Sequence, residues 1–348
     1  MTPQSNDRLL SLIAQYEKLG IREQIDYEKF YLYSIITHST AIEGSTVTEV
    51  EAQLLFDEGI TSSKRTLTEQ MMNLDLKDAY DFGMNWIKSH AQIAVDDLQL
   101  LASKVMAHTG AEYHSIGGDF SSAKGELRKL NVTAGYGGKS YMSYLKVPVK
   151  LQAFCEELNE RRRTVDRSDI IAVYELSFWA HYELVTIHPW VDGNGRMSRL
   201  LMNLLQIEFD VIPTKVLRGD KSAYIQSLVD TREQEDLDIF VRCMTDIHCK
   251  HLAEEMAAFI ASVGENADKK GGQKRWTEKV DRKGGQKTRS AILSLIGNNS
   301  QITSTKMAEA IGINRSAISK HLKKMQDEGI IRHVGPANGG HWTIIRHE

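Results

Sequence analysis

Twelve consecutive residues concentrate the side chains of this 348-residue chain that are best able to do chemistry: His188-Pro189-Trp190-Val191-Asp192-Gly193-Asn194-Gly195-Arg196-Met197-Ser198-Arg199. Glycines on either side of Asn194 allow backbone N–H groups to turn toward one point. At the start of a following apolar helix, 200–209, those groups add to the positive end of the dipole and form an anion cradle. Arg196 and Arg199 stand three apart, hence on one helix face, and guanidinium groups grip phosphate oxygens in pairs, which points to polyphosphate. Asp192 is acceptor-only and stands beside the cradle, where a hard cation such as Mg²⁺ would bridge carboxylate and phosphate oxygens. His188, whose ordinary pKa lies near neutrality, can take a proton from an attacking hydroxyl as general base.

Rigid elements must carry this loop. The segment 169–187 is apolar nearly all round, which predicts a buried central helix capped by Ser168. Pro189 breaks that helix and Gly-Asn-Gly opens the next. Upstream, residues 7–36 and then 49–86 read as helical, as do 96–109 and 149–163, the last ending on Arg161, Arg162 and Arg163, which favour its dipole. The short Val/Tyr/Leu segments of 141–147, after a Gly-rich stretch at 117–138, suit a β-hairpin. The fold class expected is mainly α.

Composition bounds the rest. A chain of this length, 41% hydrophobic and 26% charged, is patterned for folded domains, with two or three expected. Three cysteines cannot build a disulfide framework, and the N-terminus lacks a secretory signal pattern, so a reducing cytoplasm is expected. The richest apolar stretch, 170–187, carries Glu175, His181 and Glu183, so no membrane span is expected. Cys243, His248, Cys249 and His251 suggest a metal site only superficially, because at 100° per residue they spread around a helix.

The net charge of −3 conceals an asymmetry. Residues 269–348 hold 16 Lys/Arg against 6 Asp/Glu, and the remainder 27 against 40. A basic tail is either a solvated linker or a field for phosphate backbones. Lys-Gly-Gly-Gln-Lys occurs at 270–274 and again at 283–287, marking a linker rather than a repeat fold.

The stretch His188 to Arg199 resembles the Fic-family signature His-x-Phe-x-Asp/Glu-Gly-Asn-Gly-Arg-x-x-Arg, with Trp190 where Phe is usual. The resemblance implies a helical Fic core with a β-hairpin flap that transfers AMP from ATP to a protein hydroxyl and releases pyrophosphate. On it, His188 would be the base, Asp192 the Mg²⁺ ligand, and Asn194 with the Gly193 and Gly195 amides the α-phosphate cradle. Arg196 would hold the β-phosphate and Arg199 the γ-phosphate. Gly125-Glu126-Leu127-Arg128 resembles the family's lead-in to the flap, placing the flap at 139–147. There the flap would align a target segment, or a segment of the chain itself, by strand pairing. Ser39-Thr40-Ala41-Ile42-Glu43-Gly44 resembles the inhibitory motif Ser/Thr-x-x-x-Glu-Gly/Asn, with Ser39, Glu43 and Gly44 at its defining positions. It implies that Glu43 pairs with Arg199 and misplaces the γ-phosphate; the same carboxylate could instead position water for removal of AMP. Phosphotransfer and an ATP-sensing regulator without covalent chemistry are the rival readings.

The tail divides into helices at 288–298, 303–311 and 314–328 and strands at 330–334 and 341–345, the parts of a winged helix-turn-helix. Its third helix would show Arg315, Ser316, Ser319, Lys320 and Lys323 outward, toward DNA, while Ile318, Leu322 and Met325 face the core. Winged helices also mediate protein contacts. The expected domains are 1–94, an N-terminal helical region with the inhibitory helix; 95–266, the catalytic core; 267–287, a linker; and 288–348, the winged helix. Apolar helix faces are compatible with a homodimer.

Overall fold

The structure is a computed structural model that describes residues 3–134 and 139–267 and, beyond them, 292–293, 295–296, 299–300, 302–311, 315–327, 330–334 and 341–344. The two Lys-Gly-Gly-Gln-Lys copies and residues 336–340, between the two strands expected in the tail, lie outside the described residues. Among those described, the chain is mainly helical with two small two-stranded sheets.

Two compact units share the chain, one of residues 1–52 and 63–261, the other of 53–62 and 262–348. The first opens with α1 (Pro3–Lys18), α2 (Ile21–Gln24) and α3 (Tyr27–Ile42). The single helical reading of 7–36 is therefore corrected, since Gly20 turns left-handed at φ 61° and Asp26 starts a new helix by accepting the Lys29 N–H. After α4 (Glu49–Glu58) comes α5 (Leu67–Ile87), opened by a reciprocal capping box between Thr66 and Glu69. The helix expected at 96–109 ends early, as α6 (Val95–Val105).

The strands β1 (Glu112–Tyr113) and β2 (Phe120–Ser121) pair antiparallel, with Tyr113 opposite Phe120. The expected hairpin is shifted. A bridge joins Thr133 to Ser140, whereas Tyr144–Lys146 is a 3-10 turn leading into α7 (Val147–Thr164). Pro148 explains the shift, because it supplies the fixed φ and missing N–H that suit a first helical turn.

The central pair is α8 (Ile170–Ile187) and α9 (Asn194–Glu208), packed on each other with α7, α5, α6 and α3 around them. Val173, Tyr174, Leu176, Phe178, Ala180 and Leu184 of α8 are buried, as its all-round apolar sequence requires. Its cap is Asp169, which accepts from the Ala172 N–H at 3.0 Å; Ser168, the expected cap, instead donates its hydroxyl to Asp166. α10 (Lys221–Gln234) and α11 (Leu237–Ala267) follow, the latter belonging to this unit as far as residue 261. On α11, His248 meets the Tyr174 hydroxyl and His251 lies between Asp220 and Glu254.

In the second unit, α12 (Ser304–Ile311) and α13 (Arg315–Asp327) precede β3 (Ile331–Val334) and β4 (His341–Ile344), an antiparallel pair with His333 opposite Trp342. Thr303 caps α12 through the Lys306 N–H. Ile292, Ile296, Met307, Ile318, Leu322, Met325 and Ile331 form its core. Among the described residues, no helix is long and apolar enough to cross a membrane.

Candidate active site

The loop between α8 and α9 begins at the C-cap of α8, where His188 adopts a left-handed conformation at φ 51°. Such a φ is uncommon outside glycine and disfavoured by sterics, so packing holds it. The Arg128 guanidinium does much of this. Fully buried, it donates to the His188 carbonyl at 2.7 Å, to Leu130 at 2.8 Å and to Met142 at 2.7 Å, while its own N–H reaches the Pro189 carbonyl at 3.0 Å. The imidazole Nδ1 lies 3.2 Å from the Val185 carbonyl. A carbonyl can only accept, so this contact places the proton on Nδ1 and leaves Nε2 as the free lone pair. Burial pushes the His188 pKa down to about 4, with the Arg128 charge acting in the same direction. The ring is therefore neutral at pH 7.

Asn194 closes the loop from its other end. Its side-chain oxygen accepts the Trp190 N–H at 3.1 Å and its Nδ2 donates to the Trp190 carbonyl at 2.8 Å. Both ends of the amide are thus occupied by backbone, and what Asn194 offers an anion is its main-chain N–H. The Met197 N–H takes the Gly193 carbonyl at 2.9 Å as the first helical bond, so the amides of 194–196 precede it as first-turn donors. Gly193 sits at φ 79°, and a Cβ there would fall 2.8 Å from the Met106 sulfur.

Trp190 is 1% exposed, and its Nε1 finds the Gly125 carbonyl at 2.9 Å. The indole thus has the partner its N–H requires, in the same segment that resembles the flap lead-in. Trp190→Phe should leave that carbonyl unpaired and cost about 1–2 kcal/mol of stability, read by chemical denaturation.

Arg196 is buried, with Nη1 on the Val105 carbonyl, Nη2 on the Met106 sulfur and Asp192 Oδ1 at 4.0 Å. Its Nε is buried without a hydrogen-bond partner among the described residues. A buried guanidinium donor left open suits an anionic oxygen. Asp192 keeps its side chain 62% exposed while accepting the Gly193 N–H at 2.6 Å, so a hard carboxylate oxygen faces solvent beside the cradle.

Arg199 is held from α3. Its Nε donates to Ser39 Oγ at 2.9 Å, its Nη2 to the Ser39 carbonyl at 3.0 Å and to Glu43 Oε1 at 2.5 Å, and its Nη1 to the Tyr224 hydroxyl at 3.4 Å. Burial would raise the Glu43 carboxyl, but the charge and hydrogen bond of Arg199 outweigh it and hold the group below its ordinary value. Gly44, at φ 104°, ends the helix just after. Other supports carry no motif signal. The Lys221 ammonium donates to the Ile42 carbonyl at 2.6 Å, Thr40 donates to Asn73, and Asn73 donates to Ser45. Tyr224 also meets His181 Nε2 at 3.0 Å, and burial pushes His181 down to about 3.

The structure thus brings His188, Asp192, Gly193, Asn194, Gly195, Arg196, Arg199, Ser39 and Glu43 into one region. Arg315, Ser316, Ser319, Lys320 and Lys323 all lie on α13; Lys323 is exposed, and the other four side chains lie outside what the structure describes.

Residues 92–206 match the Fic/DOC family, and residues 286–332 match a winged helix-turn-helix DNA-binding family. The chain thus carries a Fic/DOC-family domain and, C-terminal to it, a winged helix-turn-helix domain. The chain is 26% identical over 244 residues to the protein adenylyltransferase Fic of Drosophila melanogaster, covering 68% of this chain and 44% of that protein. It is 26% identical over 246 residues to the protein adenylyltransferase fic-1 of Caenorhabditis elegans, covering 69% and 43%. The chain spans less than half the length of the curated relatives it matches. Among solved structures, Fic-1 (aa134–508) from C. elegans aligns at TM-score 0.57 and 23% identity, over 74% of this chain and 73% of that one. A Fic family protein from Desulfovibrio desulfuricans G20 aligns at TM-score 0.54 and 18% identity, over 100% and 98%. These two likenesses concern the fold.

Proposed function

We propose that the chain is a protein adenylyltransferase that moves AMP from ATP to a hydroxyl side chain of a target protein or of itself, and that Glu43 holds it inhibited. The observation that carries this reading is the convergence of a neutral, oriented His188 with first-turn amides, the open Nε of Arg196 and an Arg199 engaged by Glu43. The relatives named as protein adenylyltransferases support it.

In the reaction, the target oxygen forms a bond to the α-phosphorus, the bond from that phosphorus to the bridging oxygen breaks, and pyrophosphate leaves. His188 Nε2 takes the hydroxyl proton. The amides of the α9 N-terminus hold α-phosphate oxygens, Arg196 the β-phosphate and, once free of Glu43, Arg199 the γ-phosphate. The donor set fits Mg²⁺, with Asp192 as its protein ligand; when bound, the ion supplies charge neutralisation at the phosphates. We assign the catalytic core to 95–266, after a regulatory helical region at 1–94, with 267–287 as linker and 288–348 as a DNA-binding module. The match to a DNA-binding winged helix supports the last assignment, for which salt-sensitive DNA retention, weakened in Lys320→Glu, is the expected result.

The deciding experiment labels purified protein with ATP carrying the label at the α- or the γ-phosphate, with Mg²⁺ and a His188→Ala control. Label from α that requires His188 is expected. Label from γ would mean phosphotransfer, and none from either, with ATP bound, would favour a nucleotide-sensing regulator. The pH dependence follows from His188. Because burial lowers its pKa, the base stays deprotonated well below the ordinary histidine range, and kcat/KM should hold from pH 7 to 5 and fall only toward about 4. An acid limb between pH 6 and 7 would contradict this assignment.

A further inference from the structure

One aromatic ring next to the base has no part in the reaction described above. Tyr141 lies on the return segment of the short pairing at 132–141, where its N–H takes the Val132 carbonyl at 3.0 Å. Its ring stacks on the His188 imidazole, with centroids 3.8 Å apart and planes 17° apart. The Arg232 guanidinium of α10 sits 5.8 Å from the centroid of the Tyr141 ring. The two stacked residues also share a backbone tie, since Arg128 donates both to the His188 carbonyl and to the carbonyl of Met142, the residue after Tyr141.

One hydrogen bond, from Nδ1 to Val185, fixes one point of the imidazole but leaves the ring free to rock about it. A flat face laid parallel against the ring removes that freedom, because offset aromatic stacking is satisfied only over a narrow range of tilt and distance. A base must meet its proton within hydrogen-bond reach and along its lone pair, so ring tilt governs the rate. We propose that Tyr141 is a positioning residue for His188: its stacked ring fixes the imidazole plane, so that Nε2 is aimed before the target hydroxyl arrives. The flap then does two things, holding the base from one face and offering its backbone edge to the target. The hydroxyl of Tyr141 has no part in this role; only the ring does.

The kinetic half of the proposal rests on the AMP-transfer reading, and the spectroscopic half does not. The test uses the full chain carrying Glu43→Gly, alone and combined with Tyr141→Phe, Tyr141→Ala or Tyr141→Leu; the leucine keeps apolar bulk in the flap without an aromatic face. Histidine-selective labelling allows the His188 ring protons to be observed by NMR, assigned by their loss in His188→Ala. They are expected upfield, displaced by the Tyr141 ring current, with Tyr141→Phe preserving the displacement and Tyr141→Ala and Tyr141→Leu abolishing it. In the same proteins kcat should fall by about 10²-fold for Ala and Leu, with KM for ATP changed by less than about threefold, and Phe should restore it. Unshifted His188 protons in the parent protein, or a Leu variant with parental kcat, would overturn the proposal. If the Glu43→Gly parent transfers no AMP, the functional reading fails by itself, and the His188 shifts still decide whether Tyr141 orients the ring.

Discussion

Glu43→Gly should raise His188-dependent AMP incorporation by about 10²-fold, measured with α-labelled ATP on the purified chain. The size follows from how Arg199 is used. A guanidinium has five N–H donors. Ser39 Oγ, the Ser39 carbonyl, Glu43 and Tyr224 accept four of them, and Glu43 contributes the only carboxylate among these partners. A γ-phosphate that enters must displace that carboxylate or settle in a pose unsuited to in-line attack. Glycine removes the competitor while Ser39 and Tyr224 continue to aim the guanidinium, so the gain should appear in kcat more than in fold stability. The side chain of Glu43 is 36% exposed and screened by water, so the stability loss should be only about 1 kcal/mol, read from thermal melting. The brake should also be insensitive to pH near neutrality. The folded-state pKa of Glu43 is depressed, so the pair contributes fully above the unfolded value and is lost only as pH falls through the folded one. Equal turnover of Glu43→Gly and the parent would remove Glu43 from regulation, and a rise that survives His188→Ala would place the chemistry elsewhere.

Gly125→Ala should destabilise the chain by at least about 3 kcal/mol, measured by chemical denaturation. Gly125 sits at φ 69°, and a Cβ built there falls 1.9 Å from the Gln99 carbonyl oxygen and 2.7 Å from the Ser103 nitrogen. Both are main-chain atoms of α6, so no side-chain rotation can relieve the clash. Either α6 or the 125–128 segment must shift. The damage would not stay local, because the Gly125 carbonyl accepts the Trp190 indole and Arg128, three residues on, pins the loop that carries His188. Activity should therefore fall with stability. A loss under 1 kcal/mol would show that the close approach of α6 to this turn is not maintained in solution. Trp190→Phe, which removes only the indole's hydrogen bond and part of its bulk, provides the contrast.

Much of the candidate site's arrangement was legible in the chain alone because it is set by local backbone. A helix broken by Pro189, an N-terminus opened by Gly193 and two arginines three apart are all set within one stretch of neighbours. Their types and spacing therefore set the local placement of His188, the first-turn amides and the two arginines together. The α8 helix was legible for a similar reason, since a segment apolar on every side has only the interior to occupy. The N-terminal motif suggested that Glu43 opposes Arg199, but 156 positions separate the two, and only packing of α3 against α9 brings them within 2.5 Å.

What only the tertiary structure decided are the partners of buried polar groups. Sequence pattern records which face a residue shows, and says nothing of which distant carbonyl lies opposite it. Thus Trp190 implied a need for an acceptor, while the acceptor, Gly125, lies 65 residues away. Arg128 divides its donors among three carbonyls, and Tyr141 meets His188 face to face, neither with any periodic signature. Even the caps followed this rule, with Ser168 drawn to Asp166 and Asp169 left to cap α8. By itself the sequence determined a helical scaffold carrying a glycine-flanked loop with a histidine at one end and two arginines at the other. Packing decided how that loop is braced and what occupies its last arginine, because buried donors must be satisfied wherever the fold happens to set an acceptor.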